Sequence, residues 1–240
     1  MSSLVHPFDR LADRYDELWT NTAIGRAQRE QVWRSIDQLF RPGDRILDIG
    51  CGTGEDAAHL AGRGVTVHAI DPSPAMIEAA RRRGGFSAEV ANLADLSGTF
   101  DGAISNFGAL NCVEDLESVA RPLERLVRSG GHVALCLIGR FCAWETLYYV
   151  SRFDFRKAFR RLNGKADSSL GTVHYPTVAT IRNVFARGFV CEQWMGIGCT
   201  VPPSYVCLPD RVVGALAACE PAAAALRSMA DHRLLILTRK

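Results

Sequence analysis

The sequence predicts an α/β fold: a doubly wound, seven-stranded and mostly parallel sheet with helices on both faces. Two observations predict it. Short apolar runs alternate with amphipathic segments along most of the chain, a pattern that builds parallel strands joined by crossover helices. The first of those runs then breaks into three glycines at alternate positions, Gly50, Gly52 and Gly54, directly before a helical segment. In open α/β sheets, a ligand crevice lies where a strand ends in such a loop. The chain has 240 residues, 48% of them hydrophobic, which suits one domain spanning 1–240 with a full core.

Residues 1–44 read as N-terminal helices. Phe8, Leu11, Tyr15 and Leu18 share one helical face, which either packs on the core or forms a lid over a ligand. A second amphipathic helix covers residues 28–40, and Arg41-Pro42-Gly43-Asp44 ends it.

Residues 46–49 form the first buried strand, and Ala57, Ala58, Leu60 and Ala61 give the next helix its apolar face. Glycine lets the backbone turn sharply and lets a ligand come close. The helix behind it points free N–H groups and its positive end at that ligand. The spacing is not the G-x-G-x-x-G of a dinucleotide loop, and Glu55 at the helix start would repel a pyrophosphate. A nucleoside ligand without phosphates fits better.

The run Asp48-Ile49-Gly50-Cys51-Gly52-Thr53-Gly54 resembles the first motif of the class I S-adenosylmethionine (SAM)-dependent methyltransferases, of the small-molecule type. SAM carries a sulfonium and an amino acid instead of phosphates. The resemblance covers roughly residues 8–240. It implies a Rossmann-like sheet whose last strand is antiparallel, SAM as cofactor and S-adenosylhomocysteine as product. It also implies cofactor contacts from Asp48, Gly50, Cys51, Gly52 and Gly54, and from Tyr15 in the leader.

The second strand, residues 65–70, ends at Asp71, 19 residues past Gly52. A carboxylate there can accept hydrogen bonds from both ribose hydroxyls. The alternative is an N-cap, since Asp71-Pro72-Ser73 suits a helix start. Met76 packs on adenine or in the core. Arg81-Arg82-Arg83 reads as a solvated helix C-terminus. The third strand, 87–91, leads to Asn92 and Leu93. Related enzymes often carry an acidic residue at the place of Asn92 to bond the adenine amino group; an amide carbonyl can do the same, and Asp95 is the other candidate acceptor.

The fourth strand, 100–105, runs into Asn106 and Phe107, expected to line the cofactor pocket, and Asn111, which either reaches substrate or serves a turn. The Asn/Asp-Pro-Pro-Tyr/Phe motif of nucleic-acid and protein amide methyltransferases is not here. An apolar helix over 119–127, the turn Arg128-Ser129-Gly130-Gly131 and a fifth strand over 132–138 follow. His132 sits at the wrong end of that strand for chemistry.

Residues 140–171 read as a helical insert on the substrate side. Trp144, Leu147, Tyr148, Phe155, Phe159 and Leu162 lie near one helical face, and Arg152, Arg156 and Arg160 near another. Three readings stay open: a lid giving an apolar substrate pocket, a core helix with a solvated basic face, or a membrane-surface element reaching a lipid-like substrate. Arg140, Trp144, Glu145 and Tyr148 are placed to meet substrate, with Tyr205 from a later loop. His174 and Tyr175 are the general-base candidates by chemistry. A helix over 177–187, a strand over 189–199, a helix over 211–229 broken at Pro221, and a last strand over 232–238 complete the chain.

A net charge of +2 calls for no nucleic-acid partner. There is no run of ~18 apolar residues for a membrane span, and residues 1–10 lack the core of a signal peptide. None of the eight cysteines forms a C-x-x-C pair, which suits free thiols in the cytoplasm and no metal site. The expected function is methyl transfer from SAM to an oxygen or nitrogen, less readily a carbon, of a small organic molecule. Orientation can supply much of the rate, so no evident base is required. The alternatives are a non-methylating SAM enzyme, RNA or protein methylation, and a non-catalytic partner subunit.

Overall fold

The computed structural model describes residues 6–240. The strands are β1 (Arg45–Ile49), β2 (Thr66–Asp71), β3 (Ser87–Val90), β4 (Phe100–Ser105), β5 (Val127–Ile138), β6 (Lys165–Ser168), β7 (Gly171–His174), β8 (Phe189–Ile197) and β9 (His232–Arg239). Seven of them form one sheet in the order β3-β2-β1-β4-β5-β9-β8, while β6 and β7 pair as a separate hairpin. β1 pairs in parallel with β2 and β4, β2 with β3, and β4 with β5. β9 lies antiparallel between β5 and β8.

Helices α1 (Ala12–Tyr15), α2 (Ala23–Leu39), α3 (Glu55–Gly62), α4 (Pro74–Arg83) and α5 (Glu117–Leu126) precede or link the parallel strands. Next come α6 (Ala143–Val150), α7 (Phe155–Ala158), α8 (Val178–Phe185) and α9 (Asp210–Cys219). Strand side chains alternate between two apolar layers, as the period of two demands. Leu47 and Ile49 join Phe100, Leu123 and Phe185 on one face. Ile46 joins Val32, Ile36, Leu60 and Ile104 on the other. β1 is thus buried on both faces, which is why it reads as a mostly apolar run, broken only by the buried Asp48 after the exposed Arg45.

The structure corrects several sequence expectations. β5 begins at Val127 instead of residue 132, so Gly130 and Gly131 sit inside a strand whose register slips between Phe100 and Gly102. The insert is not helical to residue 171: α6 and α7 are separated by a turn, a 3-10 segment Arg160–Asn163 follows, and the chain then forms the β6–β7 hairpin. Leu18, placed on the apolar face, is exposed, because Asp16–Thr20 widens into a π-helical turn. Arg83 is not a solvated helix end. It bonds the Thr53 carbonyl at 2.9 Å and pairs with Asp16 at 2.5 Å and with Glu55. That pairing also offsets the charge of Glu55, on which the argument against phosphates leaned.

Among the described residues one helical segment, Asp210–Met229, is long and apolar enough to cross a membrane by length and composition. It changes from α9 to 3-10 geometry over Glu220–Met229, with Pro221 at the change. Glu220 at the break is buried and accepts the N–H groups of Cys199 and Thr200 at 2.5 and 2.8 Å.

Candidate functional site

A cavity of about 790 Å³ opens at the carboxyl ends of β1, β2 and β4, and the glycine loop forms its floor. Gly50 and Cys51 N–H groups both bond the Ile70 carbonyl, at 2.8 and 3.0 Å, so the loop is tied to the end of β2. Gly50 and Gly52 have φ of 68° and 54°, a region that costs most other residues energy. A side chain at Gly50 would also collide with Ala109, whereas Gly52 faces open space. The loop therefore bares its backbone to the cavity.

Asp71 closes β2. Its Oδ2 accepts the Gly52 N–H at 3.0 Å and its Oδ1 the Ser73 N–H at 2.9 Å. Burial pushes this carboxyl above its ordinary value, against the pull of those two N–H groups. Asp71 is not the helix cap: Ser73 caps α4, its hydroxyl accepting the Met76 N–H at 3.2 Å. Of the other residues expected at a cofactor, Tyr15, Pro72, Met76, Asn92, Leu93, Asn106 and Phe107 line the cavity with Gly50, Gly52 and Asp71. Asn92 Nδ2 donates to Asp95 at 3.3 Å, so Asp95 orients Asn92.

Asn106 is buried at the end of β4, and neither its Nδ2 nor its Oδ1 has a hydrogen-bond partner. Buried polar atoms in folded proteins are almost always satisfied, so an orphaned amide on a cavity wall points to a missing ligand. Phe107 holds a left-handed φ of 52°. It is wedged by Trp19 and His232, with ring centroids 4.7 and 5.4 Å away, and by the Arg29 guanidinium at 4.8 Å. Arg29 is anchored by Asp56 at 2.6 Å, a pair buried on both sides.

Asp48, Cys51 and Gly54 are not on the cavity wall. Asp48 lies beneath the loop, 2% exposed, with Oδ2 unpartnered. Burial, with Asp56 adding to it, holds its carboxyl well above the ordinary value. Burial likewise pushes the Cys51 thiol up, which makes it a poor nucleophile. Gly54 starts α3 in a left-handed conformation against Phe86.

The structure does not bring the expected substrate and base residues to the cavity. Asn111 is fully buried and structural: its Nδ2 donates to the carbonyls of Ile138 and His174, and its Oδ1 accepts the Ile138 N–H at 2.8 Å. It thereby pins the β7 end to β5. His174 contributes its backbone carbonyl to that clamp, and Tyr175 is buried beside Arg161. Glu145 is 1% exposed and accepts from Arg160, Arg161 and the Tyr205 hydroxyl. Burial pushes the Glu145 carboxyl up, but the two guanidiniums outweigh it and hold it below the usual range. Tyr148 packs its ring on Tyr205, Arg140 bonds the Leu162 carbonyl at 3.0 Å, and Trp144 is half-buried.

The rest of the cavity wall joins the Leu110–Val113 stretch just past β4 to residues that sequence reasoning did not single out. Leu110, Val113, Val119 and Ile138 form one apolar wall, and Leu170, Thr172 and Val173 of the β6–β7 hairpin form the other. Leu170 sits in the two-residue turn, where the Ser168 hydroxyl accepts its N–H at 3.1 Å. His6, Pro7 and Phe8 cover the cavity on the side of Asp71, and His6 Nδ1 is buried without a partner. Asp9 ties this leader down by accepting the Ser73 hydroxyl at 2.6 Å. Asp16 does so by accepting the Thr53 hydroxyl at 2.6 Å. Phe8 and Tyr15, on the leader face read from the sequence as either core or lid, both line the cavity.

A parallel sheet that ends in a reversed hairpin, with its ligand cavity over a three-glycine loop, is the architecture of the SAM-dependent methyltransferases. Residues 24–202 match the family described as a methyltransferase domain, and the chain belongs to it. A demethylmenaquinone methyltransferase of Symbiobacterium thermophilum is 31% identical over 213 residues, 76% of this chain and 83% of that protein. One from Clavibacter sepedonicus is 34% identical over 139 residues, 54% of this chain; there the chain spans only 55% of its relative's length. Among solved structures, a SAM-dependent methyltransferase from Mesorhizobium loti has a TM-score of 0.59 at 22% identity, covering 87% of this chain and 97% of that one. A geranyl diphosphate C-methyltransferase from Streptomyces coelicolor, solved with Mg²⁺, geranyl diphosphate and S-adenosyl-L-homocysteine, has a TM-score of 0.59 at 16% identity, covering 89% and 79%. At these identities the structures speak for the fold alone.

The residues present fit SAM. The open space over Gly52 and the orphaned Asn106 amide await a ligand. Asp48 and Asp71 are desolvated carboxylates whose ionised forms a cationic ligand would stabilise.

Proposed function

We propose that this chain transfers the methyl group of SAM to a small apolar acceptor bound between the Leu110–Ile138 wall and the β6–β7 hairpin. The single observation that carries this reading is the apolar second half of the cavity. At about 790 Å³ the cavity lies high in the ~300–1,000 Å³ range of small-molecule sites, with room for a cofactor and a second molecule. The relatives named demethylmenaquinone methyltransferase support an apolar ring as the acceptor class. They also bring carbon level with oxygen and nitrogen as the acceptor atom.

When bound, SAM supplies an electrophilic methyl group on a sulfonium. In this reading Asp71 accepts the ribose hydroxyls and Asn92 offers its amide carbonyl to the adenine amino group. Met76 and Leu93 flank the base. Asn106 and the bare backbone of Gly50 and Gly52 hold the amino-acid end. Tyr15 and Phe107 close over the reacting centre and exclude water. Apolar walls hold the acceptor in line with the methyl group, and orientation of that kind supplies several kcal/mol, about 7–11 in good cases. An acceptor that arrives ionised needs no base from the chain.

The test is label transfer. Methyl-labelled SAM and the purified chain are incubated with an extract of the source cells, and label is counted in lipid, water-soluble, RNA and protein fractions. Label in the lipid-extractable fraction is the expected outcome. Label confined to RNA or protein would overturn the reading.

A further inference from the structure

We propose that the insert over residues 140–165 is a docking face for the surface of an anionic phospholipid bilayer. The charge is concentrated there: seven basic and two acidic residues give the segment +5 in a chain of net +2, which leaves the remainder at −3. Glu145, one of the two acids, is buried under Arg160 and Arg161, and the other, Asp154, is paired with Lys157 at 3.4 Å. Arg140, Arg152, Arg156, Lys157 and Lys165 are all exposed. Such a dipole turns the insert toward an anionic surface and the rest of the molecule away from it.

The same segment exposes large apolar side chains among those cations. Leu147 is 66% exposed, Phe153 83% and Phe155 54%, with Phe159 and Leu162 close to half exposed. Phe153 is held outward by its backbone. It occupies a left-handed φ of 59°, and the turn is locked by the Phe153 N–H on the Val150 carbonyl at 3.0 Å and the Asp154 N–H on the Tyr149 carbonyl at 2.9 Å. A phenylalanine in that region is strained, and the ring it carries faces solvent. Rings flanked by Arg and Lys are the composition of interfacial elements, whose rings enter the headgroup boundary while the cations meet lipid phosphates. A duplex nucleic acid would account for the cations but not for five exposed large apolar side chains among them.

The place of the insert gives this face a use, and here the proposal rests on the apolar-acceptor reading. The last residue of this segment, Lys165, opens the β6–β7 hairpin, whose Leu170 and Val173 line the cavity. Docking the insert brings that side of the cavity to the membrane, where a lipid-like acceptor resides.

Vesicle flotation of the full chain tests it. Vesicles of phosphatidylcholine alone are compared with vesicles carrying about one third phosphatidylglycerol. The chain should float with the anionic vesicles and be stripped by 0.5 M salt, about where screening shortens to a few ångströms. Charge reversal of both Arg152→Glu and Arg156→Glu should lower partitioning at least about 25-fold, roughly fivefold per cation. Phe153→Ser should lower it about tenfold through lost apolar insertion. Arg34→Glu, an exposed cation on α2, should leave it unchanged. Thermal unfolding confirms that each variant is folded. No flotation of the parent chain overturns the proposal. So does equal flotation of the reversed variant, or binding that follows charge but ignores Phe153. Label transfer separates the two readings: methylation without flotation overturns docking alone, and flotation without any methylation overturns the acceptor alone.

Discussion

The two walls of the cavity are built on different principles. On the cofactor wall, functional side chains sit one to three residues beyond the end of a parallel strand. Pro72, Asn106 and Phe107 are placed this way, Asp71 is the last residue of β2 itself, and the glycine loop follows β1 directly. On the wall proposed to hold the acceptor, the chain runs through a turn and a 3-10 segment into the hairpin that brings Leu170 and Val173 to the cavity. Of the polar residues that looked chemically capable there, Glu145 and Tyr205 hold the insert together and Asn111 pins the end of β7 to β5. The lesson is that strand topology positions side chains by rule, whereas an insert positions them through its own buried polar network.

The largest expected effect breaks that network. Glu145→Ala takes from buried Arg161 one of its two carboxylates, leaving it Asp231 alone, and strips the acceptor from Arg160 and the Tyr205 hydroxyl, so it should cost about 3 kcal/mol. That corresponds to roughly a 10 °C fall in Tm for a domain of this size. SAM affinity measured by calorimetry well below the transition should hold. An affinity that fell in step with stability would show that the two walls are not independent.

Asp71→Ala addresses the other wall. If two ribose hydrogen bonds to the carboxylate are lost, each worth about 1.5–3 kcal/mol, SAM binding should weaken by two orders of magnitude or more. Unchanged affinity would sink the ribose assignment.

A smaller and opposite effect is expected beneath the loop. Asp48 is buried with its carboxyl raised, so its ionisation costs the folded state free energy above the unfolded carboxyl value near ~4. Asp48→Asn should therefore stabilise the ligand-free chain by about 1–2 kcal/mol at pH 7. The gain should shrink as pH falls toward ~4, where the parent carboxyl is protonated in both states. Denaturant unfolding at several pH values measures it; a gain independent of pH would mean the charge is not its origin.

The smallest effect sharpens the comparison. His174 joins the wall through its backbone carbonyl, so His174→Ala should keep methyl transfer within about twofold, the range of substitutions that touch nothing critical. A large loss in turnover with stability unchanged would restore the imidazole as a base.

Most of the sheet was legible because its strands are short, mostly apolar runs between glycine or proline turns; β1 holds Ile46, Leu47 and Ile49 around one buried carboxylate, Asp48. β5 was read short because Gly130 and Gly131 look like a turn, yet the slip in register against β4 takes them into the strand. The β6–β7 hairpin was missed because Lys165, Asp167, Ser168 and Gly171 carry little strand propensity, and tertiary packing overrode it.

The sequence by itself determined the parallel sheet, the glycine loop and the residues just past its strands. Those follow from local periodicity and from glycine's freedom of backbone, which need no knowledge of distant neighbours. Only the tertiary structure decided that Glu145 faces inward, that Asn106 is orphaned at the cavity and that a hairpin walls the acceptor side. Side-chain direction across an insert depends on which long-range partners satisfy each buried charge and amide, and a residue's type does not specify its partner.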